Sequence, residues 1–265
     1  MTLDPALLSP GQRWVPGILG GLGPLAHVQF EREILRRSHQ RGARRDRDHP
    51  VWLLASASAT PDRTESLLAG GASPVLHLTR YARVLEGAGA DALFVACHTA
   101  HAFHAEVQRE IGIPWVHLMT LVADALARAH PAGTAVGILA TDGTLKSGLY
   151  QGALEARGFV PVAPALDSAV QAAVRAAVYD AATGIKATGT EVHPAARGRL
   201  VEAAAWCAGQ GALAVILGCT EVSVGLSADA LTAVPLVDPL TVAADALLDL
   251  AEGRRDPESL RTRGG

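Results

Sequence analysis

Residues 15–26 read VPGILGGLGPLA, and residues 134–145 read TAVGILATDGTL. Each segment joins a short apolar run to a glycine-containing turn, which is typical of a buried parallel strand that leads into a helix. Cys97 lies 80 residues after Gly17 in the first Gly-Ile-Leu run, and Cys219 lies 82 residues after Gly137 in the second. Because strand, turn and cysteine recur at similar spacing, the sequence predicts two related halves.

Short apolar runs alternate with helical patterns along the chain. Such alternation predicts an α/β fold whose parallel sheets are buried on both faces. We expect helices over residues 25–37, 99–111 and 242–251. The predicted strands are Val15–Leu19, Val51–Ala55, Asp91–Ala96, Ile113–Leu118, Ala135–Ala140, Ala212–Leu217 and Pro235–Val237.

The fold class expected from this pattern is α/β, with two pseudo-symmetric domains that each contain a parallel sheet flanked by helices. The predicted N-terminal domain covers residues 1–118 and is joined by the C-terminal segment 238–265. The second domain covers residues 119–237. An active-site cleft is expected between the two domains, because ligands of open parallel sheets bind beyond the carboxyl ends of the strands.

Composition excludes several classes of protein. The chain has 265 residues, of which 49% are hydrophobic and 18% are charged, so it can build a core and is not intrinsically disordered. A net charge of −3 argues against a general nucleic-acid binder, and the arginine-rich stretch 36–48 contains no aromatic residue on which a base could stack. The stretch 36–48 is interpreted as a solvated helix end and loop.

Location is also constrained by the sequence. No apolar run approaches the roughly 20 residues of a membrane span, and residues 1–10 lack the basic start of a secretory signal. Three cysteines are too few for a disulfide scaffold. We therefore expect a soluble protein of a reducing, bacterial-type cytoplasm, with no membrane and no nucleic-acid partner.

The two repeated cysteines carry the chemical hypothesis. Both stand in Cys-x-Thr contexts, and both are expected at the start of a helix, where the helix dipole lowers the pKa of a thiol. Two thiols on opposite sides of one carbon suit racemisation, because one removes the α-proton and the other returns a proton from the opposite face. Cys207 lies in a helical stretch without polar motifs and is interpreted as structural.

Five stretches, in the same order along nearly the whole chain, resemble the aspartate/glutamate racemase superfamily and, within it, the aspartate racemases. The resemblance implies two α/β domains, a two-base mechanism without any cofactor or metal, and a homodimer that acts on a small amino acid. The matching stretches are GILGGLGPLA (17–26), PDRT (61–64), CHTAHAF (97–103), GILATDGTLKSGLY (137–150) and GCTEVSV (218–224).

The resemblance also assigns residues. Cys97 and Cys219 fall on the two catalytic cysteines. Arg63 falls on the arginine that meets the side-chain carboxylate of the substrate, a task that suits a bidentate guanidinium, and Lys186 is similar to a lysine that faces the substrate. Thr99, Thr220 and backbone N–H groups after each cysteine are expected to hold the α-carboxylate. The remaining substrate-binding candidates are Leu22, His98 and Glu221.

Two of these positions depart from the family pattern. His98 stands where the family usually has Asn, and an imidazole is larger and can carry charge. Leu22 replaces a frequent Met. Aspartate is the first choice of substrate, because Arg63 and Lys186 both call for a second carboxylate. The alternatives are a racemase of altered substrate (glutamate, another amino acid or a hydantoin), a decarboxylase, or an amino-acid-binding protein without turnover.

The sequence gives less support to two other classes of site, a dinucleotide-binding site and a metal site. Residues 21–26 match the G-x-G-x-x-A dinucleotide fingerprint, but residues 51–58 lack the acid that would bind the ribose. Cys97, His98, His101 and His104 cluster as a metal site would, but without the second close pair of a zinc signature. The resemblance includes His101 without a metal, and His104 is expected to be solvated.

Overall fold

The computed structural model describes residues 3–226 and 232–261. Within them the chain forms two compact units, the first built from the chain up to Leu118 together with the segment from Leu240 onward, and the second from residues 119–239. That each unit is an independently folding domain stays a prediction.

The first unit contains a three-stranded parallel sheet with strand order β2-β1-β3. In register, Gly17 of the central strand pairs with Leu53 on one side and Leu93 on the other. The elements up to the end of this part of the chain are β1 (Pro16–Gly20), α1 (Pro24–Gln40), β2 (Leu53–Ser56), α2 (Arg63–Leu68), α3 (Val75–Gly87), β3 (Ala92–Val95) and α4 (His104–Gln108).

The second unit contains a four-stranded parallel sheet with strand order β5-β4-β6-β7. Its central strands pair through Gly137 and Val215. The elements are α5 (Leu118–Ala129), β4 (Ala135–Leu139), α6 (Asp142–Ser147), α7 (Leu149–Glu155), β5 (Val160–Val162), α8 (Ala169–Tyr179), α9 (Ile185–Thr188), α10 (Pro194–Gly209), β6 (Ala214–Leu217), α11 (Thr220–Gly225) and β7 (Leu236–Val237).

The C-terminal helix α12 (Pro239–Ala251) returns to the first unit and pairs with α1. The guanidinium of Arg37 donates to Asp245, and that of Arg41 donates to Asp249 at 2.9 Å. Thr241 donates to Glu33 at 2.9 Å. Arginines of the stretch 36–48 therefore pair with carboxylates of their own unit.

The predicted α/β class with two parallel sheets is confirmed, but one predicted strand is wrong. Residues 113–118 form only an isolated bridge, in which the N–H of Leu93 donates to the carbonyl of Pro114 and the N–H of Val116 donates to the carbonyl of Leu93. Pro114 has no N–H to extend a ladder, and α5 begins at Leu118, so no room is left for a strand. No helix of the described residues is long and apolar enough to cross a membrane.

The repeated glycines of β1 and β4 explain the internal repeat physically. A Cβ added to Gly17 would lie 2.8 Å from the Cβ of Ala90, and one added to Gly137 would lie 2.9 Å from the Cβ of Cys207 and from Val215. Each central strand therefore lies so close to its neighbouring segment that only glycine fits. This contact fixes the layer spacing within each unit.

We expect Gly137→Ala to lower the free energy of unfolding by about 1–3 kcal/mol, because Cys207 and Val215 are fully buried and cannot move aside for the methyl group. The midpoint of urea unfolding measures the change. Gly152→Ala is the matched control: its Cβ meets nothing within 4 Å at an exposed position of α7, so it should gain about 0.5–1 kcal/mol. Equal stability of the Gly137 variant and the native protein would contradict the packing argument.

Candidate active site

Cys97 lies just beyond the carboxyl end of β3 and is buried. The next residues form a 3₁₀ turn (Thr99–Phe103) before α4, so the single helix predicted over 99–111 is wrong. The imidazole Nδ1 of His101 lies 2.9 Å from the Cys97 carbonyl oxygen, which is the acceptor that the His101 N–H would use in an α-helix. That N–H donates instead to the carbonyl of His98, as a 3₁₀ turn requires.

The two residues after Cys97 are also buried. His98 precedes the 3₁₀ turn, and Thr99 is its first residue. The sequence therefore places a thiol, an imidazole and a hydroxyl together at this strand end. Their contact with substrate stays a prediction.

The loop after β1 and the start of α2 bring Leu22 and Arg63 together. Arg63 is buried, and its guanidinium donates to the carbonyl of Leu22 and, at 3.1 Å, to that of Pro61. Asp62 caps the helix by accepting the N–H of Glu65 at 2.8 Å. The PDRT motif thus forms a helix start that anchors Arg63 against the first loop, and a role of Arg63 in carboxylate binding stays a prediction.

Four predicted residues of the second unit form one connected group. Cys219 is the N-cap of α11, and its Sγ donates to Oε2 of Glu221 at 2.9 Å. Thr220 Oγ1 donates to the same oxygen at 3.0 Å, and Lys186 Nζ donates to Oε1 at 2.6 Å. Lys186 Nζ also lies 5.7 Å from the ring centre of Tyr179, within cation–π range. Glu221 is therefore the centre of a thiol–carboxylate–ammonium chain.

The model of the Asp/Glu/Hydantoin racemase family matches residues 19–247 of this chain. The chain belongs to this family. The match includes every strand of both sheets except the first residues of β1.

Proteins similar to this chain include racemases of different substrate specificity. The chain is 28% identical over 149 residues to the broad specificity amino-acid racemase RacX of Bacillus subtilis (strain 168), a match that covers 54% of this chain and 61% of that protein. Among solved structures, Picrophilus torridus aspartate racemase is 27% identical with a TM-score of 0.74, covering 94% of this chain and 98% of the other. An aspartate racemase homologue from Pyrococcus horikoshii OT3, 22% identical with a TM-score of 0.70 and covering 90% and 99%, shares the fold.

The electrostatics of Cys219 differ from the sequence expectation. Burial raises the pKa of the Cys219 thiol well above its usual value, and the Glu221 carboxylate raises it further, while Lys186 acts to lower it. The expected lowering by the helix N-terminus is therefore wrong for this cysteine. The reason is that burial and an adjacent carboxylate both disfavour a thiolate, whereas α11 has only six residues.

Glu221 is the charged partner in its contact with Cys219. Burial acts to raise the pKa of its carboxyl, but the Lys186 charge and the hydrogen bonds from Cys219 and Lys186 outweigh burial, so the pKa is lowered. At neutral pH the protein therefore holds a Cys219 thiol, a Glu221 carboxylate and a Lys186 ammonium in contact.

Tyr150 lies near Cys219, and the sequence motif that contains it predicts no role for it. It is buried, and burial, Asp238 and Cys219 together raise the pKa of its hydroxyl well above the usual value. A Cβ on Gly218 would lie 3.3 Å from its ring. Tyr150 therefore packs against Gly218, the residue before Cys219, and its position as the last residue of the GILATDGTLKSGLY stretch (137–150) was the available signal.

His104 was expected to be solvated, and this is wrong. Its Nε2 lies 2.9 Å from the carbonyl oxygen of Trp115, and burial lowers the pKa of its imidazole. In the described parts of the chain, no three His, Cys, Asp or Glu residues are arranged to hold a metal ion.

The Glu221–Lys186 chain predicts opposite pKa shifts from two substitutions. Glu221→Gln removes a negative charge beside Cys219 and should lower the thiol pKa, whereas Lys186→Met should raise it. The rate of Cys219 alkylation by iodoacetamide against pH, followed by peptide mass spectrometry, measures both changes.

Two internal controls accompany this measurement. Lys146→Met removes the other lysine of the chain, which is exposed on α6, and should leave the profile unchanged. Cys207 has its pKa raised to about 11 by burial and should stay unmodified in the folded protein. Shifts of the same sign in both site variants would contradict the assignment.

Proposed function

We propose that this protein is a pyridoxal-phosphate-independent amino-acid racemase that interconverts L- and D-aspartate, with Cys97 and Cys219 as its two bases. The observation that carries the proposal is the equivalent placement of the two cysteines. Cys97 follows β3, which pairs with β1, and Cys219 follows β6, which pairs with β4. The family match supports racemase chemistry, and the Picrophilus aspartate racemase supports aspartate as the first substrate to test.

The proposed reaction moves one proton at each face of the α-carbon. Cys97, as the thiolate, takes the α-proton and becomes a thiol, and the electron pair stays on the α-carbon. Cys219, as the thiol, gives its proton to the opposite face and becomes a thiolate. Because the pKa of Cys219 is raised, the proposed reaction starts with Cys219 as the thiol, which is the proton donor. The reverse reaction exchanges the roles.

Glu221 assists Cys219 in this proposal. Its Oε2, 2.9 Å from Sγ, accepts the hydrogen bond of the thiol, and the ammonium of Lys186 offsets the charge on the carboxylate. Thr220 donates to the same oxygen and fixes its orientation. The carboxylate would therefore favour the thiol form of Cys219, which is the form that gives its proton to the substrate.

Aspartate is proposed because two cations stand among the predicted substrate-binding residues. The side chain of Lys186 remains one-third exposed although it pairs with Glu221, and an ammonium has three donors to share. In this proposal Arg63 and Lys186 would bind the side-chain carboxylate, and Thr99 and Thr220 would hold the α-carboxylate.

A racemase of neutral amino acids is the second candidate. The observation that favours it is the Lys186–Glu221 pair, in which the positive charge is already neutralised within the protein. The matched Bacillus subtilis relative is named as broad in specificity, which fits such a site. Lys186 would then add little to the preference for a second carboxylate, which would depend on Arg63.

Exchange of the α-proton in D₂O, read by NMR over both enantiomers of aspartate, glutamate and several neutral amino acids, tests the proposal. We expect loss of the aspartate α-proton signal and appearance of the other enantiomer by chiral chromatography. Turnover should survive exhaustive chelation and need no added pyridoxal phosphate. Exchange on neutral amino acids alone would establish the second candidate, and exchange on none would refute racemisation of amino acids.

Single cysteine variants test the two-base assignment. Cys97→Ser and Cys219→Ser should each lower racemisation by about 10²–10⁴-fold, because each removes one acid–base group. Residual exchange of the α-proton should occur with opposite enantiomers in the two variants, since each retains a thiol on a different face. Cys207→Ser, matched in chemistry, should retain activity. Near-native turnover of either site variant would refute the assignment.

We further propose that the racemase acts in the cytoplasm as a homodimer, as the family resemblance implies. All three cysteines are free thiols, which suits a reducing compartment. Light scattering during size-exclusion chromatography measures the oligomeric state, and a monomer at assay concentration would refute the dimer.

A further inference from the structure

An aromatic cluster in the first unit surrounds His101, next to Cys97. The rings of Trp115 and His117 meet His101 edge-on, with ring centres 5.2 and 5.6 Å away. His104 packs against both of those rings, at 5.2 and 5.1 Å. His101 itself is 2% exposed, so its hydrogen bonds are made within the protein.

The donors and acceptors around His101 determine its tautomer. The indole Nε1–H of Trp115 lies 3.2 Å from Nε2 of His101, and an indole nitrogen can only donate. Nε2 is therefore the acceptor, so the proton of the neutral ring lies on Nδ1. That Nδ1 is 2.9 Å from the carbonyl oxygen of Cys97, which can only accept. The carbonyl of Val116, 3.4 Å from Nε2, is a longer and competing partner.

We infer that His101 is a positioning residue of Cys97: its neutral Nδ1–H tautomer, selected by the Trp115 indole, holds the Cys97 carbonyl and thereby orients the peptide between Cys97 and His98. Because a peptide unit is planar, fixing this carbonyl also fixes the direction of the His98 N–H. The inference rests on the proposed function in that Cys97 is a base and this amide serves the α-carboxylate.

The surroundings keep the ring neutral. Burial lowers the pKa of His101 well below its usual value, and the charges of His117, His104 and His98 would lower it further, while the bond to Cys97 acts in the opposite direction. A second proton on Nε2 would also face the Trp115 N–H, donor against donor. The hydrogen bond to Cys97 is therefore expected to persist across the working pH range.

The tautomer can be measured without any assay of activity. Long-range ¹H–¹⁵N correlation on the histidine-labelled full chain should show a protonated Nδ1 and an unprotonated Nε2 for His101 from about pH 5 to about pH 8. The signal is assigned by its loss in His101→Leu. An Nε2–H tautomer, or a doubly protonated ring at neutral pH, would overturn the inference.

Four variants separate positioning from packing. Trp115→Phe keeps an aromatic ring but removes the N–H, so the His101 signals should shift towards a mixture of tautomers and kcat should fall up to about 10²-fold with a smaller change in KM. His101→Asn can still donate near the Nδ1 position and should retain more activity than His101→Leu. Trp52→Phe removes another indole N–H of the same unit, which donates to Glu31 at 2.9 Å, and should change neither readout.

The outcomes distinguish this inference from the proposed function. The Nδ1–H tautomer in a protein that turns over no amino acid would refute the proposed function and leave the hydrogen-bond assignment standing. Racemisation by a protein with an Nε2–H His101 would refute only the positioning role. Equal kcat in His101→Asn, His101→Leu and the native protein would also refute that role, whatever the tautomer.

Discussion

The close approach of each central strand to its neighbours is the constraint on which both units depend. Gly17 and Gly137 leave no space for a methyl group, so each sheet and its packing segments have one spacing. Parallel pairing then places the ends of β3 and β6 beside the ends of β1 and β4. Since each cysteine directly follows such a strand end, its position depends on packing that lies several residues away from any chemistry.

The two cysteines occupy equivalent places in the repeat but have different partners. Cys97 is held through its backbone carbonyl by the imidazole of His101, a contact that leaves its sulfur out of the hydrogen bond. Cys219 is held through its sulfur by the carboxylate of Glu221. A backbone contact fixes geometry, whereas the contact of Glu221 with the Cys219 sulfur also raises the proton affinity of that thiol, so the two repeats share position and differ in hydrogen-bond partners.

The sequence predicted those features that depend on local pattern. Apolar runs located six of the seven described strands to within two residues, and the repeat predicted two parallel sheets, because buried parallel strands are continuous in hydrophobicity. They missed β5, which is only three residues long and contains Pro161. It failed where a side chain competes with the backbone: His101 binds the carbonyl that would have continued an α-helix after Thr99. It also could not predict that Lys186 pairs with Glu221, since 35 residues separate them along the chain.

The raised pKa of Cys219 shows why residue type and helix position are insufficient to assign a base. A cysteine at a helix start predicts a thiolate only if the helix dipole outweighs burial and neighbouring charge. Here α11 is short, the thiol is buried, and the nearest ionised group is a carboxylate. A two-base racemisation needs one thiolate and one thiol at a time, so an environment that keeps Cys219 protonated is compatible with that chemistry. The Glu221 carboxylate beside Cys219 therefore supports the proposed reaction, because it favours the thiol form that gives up a proton.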